Sequence, residues 1–142
     1  MNMSLEKAIR IAAQAHAGQK DKAGAAYILH PLRVMMKMDT EPEMMAAVLH
    51  DLIEDTGWTL QRLRRNGFAP EVVDAVDHLT RRKEETYGQF ISRVKGNPLA
   101  VKIKLADLED NMDTSRLKKI TARDRTRLEK YRRAWKQLAP AA

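Results

Sequence analysis

The densest chemistry in this chain lies in Leu49-His50-Asp51-Leu52-Ile53-Glu54-Asp55-Thr56, where one imidazole and three carboxylates fall within about one and a half helical turns. That is more ligand and proton-transfer capacity than a helix end requires. His50 and Asp51 can both reach one metal ion, and Glu54, four residues after His50 and three after Asp51, overhangs the same spot if the helical path continues. Asp55 stands four residues after Asp51. Two further donors come from distant segments: His30 in Tyr27-Ile28-Leu29-His30-Pro31, and Asp107 in Lys104-Leu105-Ala106-Asp107. Two neutral imidazoles and two carboxylates balance a divalent ion and leave positions for water and a phosphate oxygen. A water activated there becomes a nucleophile near neutral pH, with Glu54 and Asp55 suitably spaced to orient it or take its proton. Mixed nitrogen and oxygen donors suit Mn²⁺ better than Ca²⁺ and leave Zn²⁺ and Fe²⁺ open.

Each residue also has a plainer reading. His50-Asp51 fits a helix C-terminus, with the imidazole on the dipole and the aspartate capping the next turn. Flanking Val48, Leu49, Leu52 and Ile53 favour the metal, because a buried charge without a partner is costly. His30 alone reads as a helix-start residue and becomes a ligand only beside the His-Asp pair. Asp107 sits among Val101, Ile103, Leu105 and Ala106, with Lys102 and Lys104 expected to point elsewhere. His16 and His78 read as packing or surface residues, His16 also as a possible supporter of a ligand. Lys20 and Lys22, in the loop before Tyr27, either meet phosphates or are merely solvated. Met35, Met36, Met38, Met44 and Met45 read as adaptable core filler.

Helices must position these groups. Apolar residues recur at helical spacing throughout, without the alternation and β-branched enrichment of strands, so the expected fold is all-α. Eight helices are predicted: Leu5 to Ala17 after an N-cap Ser4, His30-Pro31 to Met38, Thr40 to the His50-Asp51 pair, a short one from Thr59 to Gly67, Pro70 to Thr80, Thr86 to Lys95, Pro98 to Asp110, and Thr121 to Leu138. The boundaries are least defined between Asp113 and Ile120. No linker, repeat or low-complexity segment divides them, so residues 1–142 are expected to form a single domain.

At 142 residues and 44% hydrophobic content, one core suffices without staples. The absence of cysteine removes disulfides and thiolate ligands, which suits a reducing cytoplasm. Glu6, Lys7 and Arg10 interrupt the first helix, and no apolar run is long enough to span a membrane; the protein is expected to be soluble and internal. The net charge of +7 points to a polyanionic partner without choosing among nucleotide, nucleic acid and membrane. Much of the excess lies between Arg116 and Lys136, interleaved with Leu128, Tyr131, Trp135 and Leu138 at helical spacing. That stripe reads as a buried face and the cations as its solvated side, which makes a nucleic-acid surface the minor alternative.

With these residues assembled, the sequence resembles the HD-domain hydrolases of the RelA/SpoT type, specifically small proteins similar to the hydrolase half of the long (p)ppGpp enzymes. The resemblance rests on Ala15-His16-Ala17-Gly18-Gln19, Tyr27-Ile28-Leu29-His30-Pro31-Leu32, Leu49-His50-Asp51 followed by Glu54-Asp55-Thr56, and Lys104-Leu105-Ala106-Asp107 with Asn111, in the family's order. It implies a helical HD-domain bundle, Mn²⁺, and hydrolytic removal of the 3′-pyrophosphate from guanosine tetra- or pentaphosphate. By that correspondence His30, His50, Asp51 and Asp107 are the metal ligands. Glu54 and Asp55 are the water-handling pair, and Lys22, Tyr27 and Asn111 contact substrate. The synthetase half is not expected here, nor is pyrophosphate synthesis.

Two positions depart from the family pattern. Asp21 stands where an arginine usually packs on guanine, and Asp113 where many members carry another arginine. Loss of a cationic stacking surface removes about 1 to 2 kcal/mol, roughly tenfold in affinity. The leading expectation is therefore a Mn²⁺-dependent (p)ppGpp 3′-pyrophosphohydrolase. The alternatives are an HD-domain hydrolase acting on another nucleotide or phosphorylated metabolite and, behind it, a basic nucleic-acid-binding module. The oligomeric state is left open.

Overall fold

The computed structural model describes residues 3–140, and among them the chain is helical, with one isolated antiparallel bridge between Lys20 and Ala26. In chain order the helices are α1 (Leu5–Ala15), α2 (Leu29–Met36), α3 (Glu41–Val48), α4 (Leu52–Asp55), α5 (Leu60–Arg65), α6 (Pro70–Leu79), α7 (Tyr87–Val94), α8 (Pro98–Met112) and α9 (Ala122–Leu138). The all-α expectation holds. The ninth element is α4, a single turn straight after the His50-Asp51 pair.

Local sequence explains where helices begin. Thr40, Thr86 and Thr121 each accept from the amide three residues on, while Glu43, Gln89 and Asp124 reach back to the cap amide, closing three capping boxes. Ser4, Thr59 and Asn97 cap α1, α5 and α8 with side-chain oxygens, each such cap contributing about 1 kcal/mol. The loop after α1 reverses at Gly18, whose φ of 84° is the left-handed conformation that favours glycine. The helix itself stops at Ala15, two residues short of the expected end, because His16 already has cap geometry.

The central element is α3, whose Ala46, Ala47 and Val48, with Leu49, are fully buried as α1, α2, α6 and α8 pack around it. Small buried residues at Ala8, Ala12, Ala75 and Ala100 let neighbouring backbones approach, while Leu52, Leu63, Ile103 and Leu108 fill the spaces between. Burying a side chain such as Leu49 contributes about 1.5–3 kcal/mol. Met35 and Met38 are buried as expected, but Met36 is 73% exposed because α2 turns its side chain outward at the last turn. The stripe on α9 also divides: Ala134 and Leu138 are buried, Tyr131 and Trp135 pack partly against the core, and Leu128 faces a cavity. No helix among the described residues is long and apolar enough to cross a membrane.

Candidate metal centre

Three helices deliver four donors to one point. His30 comes from the first turn of α2, His50 and Asp51 from the break between α3 and α4, and Asp107 from the third turn of α8. Their ligand atoms all lie within 4.8 Å of one another. His30 Nε2 is 2.8 Å from Asp107 Oδ1 and 3.6 Å from Asp51 Oδ2, and His50 Nε2 is 3.1 and 3.3 Å from Asp51 Oδ2 and Asp107 Oδ1. Both Nε2 atoms and the two carboxylates thus converge on shared space, as ligands to one ion require.

The outer nitrogens decide whether the set fits a metal. His50 Nδ1 is 2.6 Å from the Ala47 carbonyl, which only accepts, so Nδ1 carries the hydrogen. His30 Nδ1 donates in the same way to Asp110 Oδ2 at 2.6 Å. Each arrangement fixes the tautomer and ring and leaves Nε2 as the ligating atom, the usual support of a metal-bound histidine. The donor set is two imidazoles and two carboxylates without sulfur, which fits a hard or borderline divalent cation.

The electrostatics agree. Burial alone lowers the His30 imidazole, yet its hydrogen bonds to Asp107 and Asp110 outweigh that and carry it up to about 9. Burial raises the Asp51 carboxyl, but the charge and hydrogen bond of His50, with the His30 charge, together outweigh it and bring it down to about 2. Asp107 lies well below its ordinary value because the Lys104 charge and the His30 bond overcome its burial. The cluster is thus held as imidazolium and carboxylate, and a divalent ion would take the place of those protons.

Neighbouring residues extend the site. Tyr27 donates its hydroxyl to Asp51 Oδ2, and burial followed by the Asp51 charge holds that phenol far above its ordinary value. His16 is buried with its ring 5.1 Å from Tyr27, Nδ1 2.9 Å from Gln19 Oε1, while Gln19 donates to the Asp55 carbonyl. It supports the site without reaching the four donors, and its Nε2 has no partner. His78 lies away from the centre, on the Asp74 carbonyl.

One expectation needs correction. Lys104 does not point elsewhere: one turn before Asp107, it folds back so that Nζ is 2.8 Å from Asp107 Oδ2, while Lys102 does project away, to Asp39 and Glu43. Glu54, in the turn that follows the His50-Asp51 pair, accepts from the Arg81 amide and feels the charges of Asp51 and Lys104. Burial, and then for each the Asp51 charge among other causes, lifts Glu54 and Asp55 above the ordinary carboxylate range.

Beside the donors opens a cavity of about 320 Å³, walled by the 20–27 loop, α2, the end of α8, the following loop and α9. Lys20, Lys22, Tyr27 and Asn111 all line it, and Asn111 also donates to Asp107 Oδ1 at 3.1 Å. Asp21 and Asp113 line it too. Asp21 Oδ1 accepts from the amides of Ala23 and Ala25, shaping the loop, while Asp113 is 3.3 Å from Arg116. Four contributors went unrecognised in sequence. Asp110 bonds His30 and takes two bonds from Arg33, at 2.7 and 3.0 Å, and Arg116 and Arg127 line the cavity. A signal existed for Arg33 and Asp110: Arg33 is one turn after His30, and Asp110 one turn after Asp107.

The HD-domain profile matches residues 8–133. The chain belongs to the HD-domain family. Among curated relatives, a GTP pyrophosphokinase of Streptomyces coelicolor is 36% identical over 125 residues, 79% of this chain and 15% of that protein. A guanosine-3′,5′-bis(diphosphate) 3′-pyrophosphohydrolase of Aquifex aeolicus is 32% identical over 123 residues, 78% and 17% respectively. The bifunctional (p)ppGpp synthase/hydrolase SpoT of Escherichia coli is 35% identical over 125 residues, 78% and 18%. The HD domain thus spans less than a fifth of the length of these relatives. A solved structure described as a metazoan ortholog of SpoT that hydrolyzes ppGpp superposes with a TM-score of 0.74 at 24% identity, over 94% of this chain and 84% of that one. That likeness establishes a shared helical fold.

Proposed function

We propose that this HD domain is a divalent-metal-dependent nucleotide phosphohydrolase that takes the 3′-pyrophosphate from guanosine tetra- or pentaphosphate, with Mn²⁺ as the ion. The observation carrying this reading is the convergence of His30, His50, Asp51 and Asp107, with both imidazole tautomers fixed, beside a cavity that Lys20, Lys22, Arg33, Arg116 and Arg127 line together with four aspartates. Relatives named for this substrate support it. We take residues 1–142 as one hydrolase domain working in the cytoplasm on a small phosphorylated nucleotide.

A bound divalent ion supplies a Lewis acid that acidifies water and polarises a phosphoryl oxygen. The protein's residues supply the rest. Glu54 or Asp55, each lifted above the usual carboxylate range, takes the proton of the attacking water. The water oxygen bonds to the phosphorus next to the ribose, the bond from that phosphorus to the 3′ oxygen breaks, and the oxygen gains a proton to leave as the 3′ hydroxyl. Pyrophosphate and GDP or GTP result. Tyr27 holds Asp51, and Asn111 holds Asp107, while Lys20 and Lys22 offer positive charge to the incoming nucleotide.

Incubating the purified protein with ppGpp and Mn²⁺ tests the reading, with pyrophosphate release as the expected result; no release rejects that substrate. Full activity in Asp51→Ala would reject the site. A second reading keeps the chemistry and changes the substrate, because Asp21 and Asp113 put carboxylates on the cavity wall. A panel of nucleotides and sugar phosphates separates the two through selective turnover of a compound without guanine.

A further inference from the structure

The cavity beside the metal centre continues outward into a second space of about 540 Å³, with which it shares Lys22, Ala23, Arg116, Leu117, Asp124 and Arg127. The two form one trough, with His30 and Tyr27 at its inner end and Lys118, Lys119 and Arg123 at its outer end. Six basic side chains line the outer space against one carboxylate, Asp124. That carboxylate is already engaged, accepting from the Thr121 amide and pairing with Arg127. Arg116 is held by Asp113, whereas Lys118, Lys119 and Arg123 enter no ion pair among the described residues. Burial, and then the Arg127 charge, keeps Lys22 below its ordinary value, as expected where cations are crowded.

A cation-rich hollow joined to a hydrolytic centre calls for a ligand charged at both ends. If one phosphate arm of a nucleotide lies at the four donors, the arm on the other side of the ribose must run along the trough. Each space is of the size that takes part of a small ligand. We infer that Lys118, Lys119 and Arg123 hold the uncleaved 5′-phosphate arm of the nucleotide, so that the domain prefers substrates with more phosphates there. This rests on the nucleotide reading of the site, and it adds a specificity element outside the metal centre.

Binding of GMP, GDP and GTP to the full chain, measured by calorimetry with EDTA present so that no metal contributes, tests it without needing turnover. Affinity is expected to rise about threefold with each added phosphate, the scale of one exposed charge contact. The triple variant Lys118→Ala, Lys119→Ala, Arg123→Ala should lose that gradient while keeping its GMP affinity and melting temperature. The variant Lys118→Arg, Lys119→Arg, Arg123→Lys should keep the gradient, because charge and not side-chain identity is at work. A flat series in the native protein, or a gradient surviving the triple variant, overturns the inference. So does a short RNA that binds more tightly than GTP and depends on the same three residues. A gradient without ppGpp turnover would sink the proposed reaction and leave the subsite standing; turnover without a gradient would do the reverse.

Discussion

His30, His50 and Asp107 are 5%, 2% and 4% exposed, whereas Lys118, Lys119 and Arg123, at the far end of the same trough, are open to solvent. The inner group is held by fixed hydrogen bonds: His50 on a backbone carbonyl, His30 on Asp110, and Asp51 by Tyr27. The outer group consists of long flexible cations with no partner to hold them. Buried donors in a set geometry act nearly all-or-none, since removing one strands the others without compensation. Exposed cations act in small steps that salt screens. On the proposed reading, chemistry falls to the rigid end of the trough and selection to the adaptable end.

The largest effect should come from the inner end. Asp51→Ala or His50→Ala is expected to cut ppGpp turnover by about a thousandfold or more, the rate equivalent of several kcal/mol. Each should also abolish the stabilisation by Mn²⁺, which at a hundredfold excess over its dissociation constant amounts to about 2.7 kcal/mol. Thermal melts with and without the ion check this, and an undiminished metal-induced shift in Asp51→Ala would move the ion elsewhere. Next, Glu54→Gln should lower kcat by about a hundredfold. A base works only when ionised, and the Glu54 carboxyl lies above the ordinary carboxylate range, so native activity should already fall at mildly acidic pH. If Glu54 is that base, the acid limb should be missing from the Glu54→Gln profile; its persistence would shift the role to Asp55.

Asp110→Asn tests whether the support behind His30 matters as much as the ligand. Metal affinity should weaken about ten- to a hundredfold, the usual cost of altering such a partner, with the fold retained. Between the two ends, Asp113→Ala removes one partner of Arg116, leaves its Asp110 contacts, and should lower KM by only about threefold. An effect on kcat instead would break the division of labour. The smallest effect on catalysis should come from the Glu85–Arg93 pair, 2.7 Å apart and away from the trough. Its hydrogen bond to Arg93 brings the Glu85 carboxyl from 4.5 down to about 2. A depressed carboxyl stabilises the fold above its unfolded value and loses that contribution as pH falls from 4.5 through about 2. Glu85→Gln should therefore flatten acid unfolding across that window and leave turnover unchanged.

The legibility of these regions in the sequence follows the same contrast. The His-Asp pair, His30 and Asp107 stand out because ionisable groups inside apolar segments violate the usual burial pattern, and that violation needs a reason. Thr40, Thr86 and Thr121 announce helix starts through contacts three residues away. The basic residues after Arg116 carry no such mark, since a helical charge pattern is the same whether its cations face water or a cavity. Lys104 misleads although its signal is local: adjacent apolar positions suggest that it points away, yet it stands three residues before Asp107 on α8, the spacing that brings two side chains together.

By itself, the amino-acid order determined an all-α chain, most helix starts and the two residue types, histidine and aspartate, that converge. These follow from interactions within a few residues and from the cost of burying charge. Tertiary structure alone decided that Glu54 turns to the Arg81 amide, that Asp110 joins His30 to Arg33, and that Arg116 and Arg127 line a trough. Those outcomes depend on how separate helices pack around α3, and the distances between segments remote in sequence are set by the core as a whole.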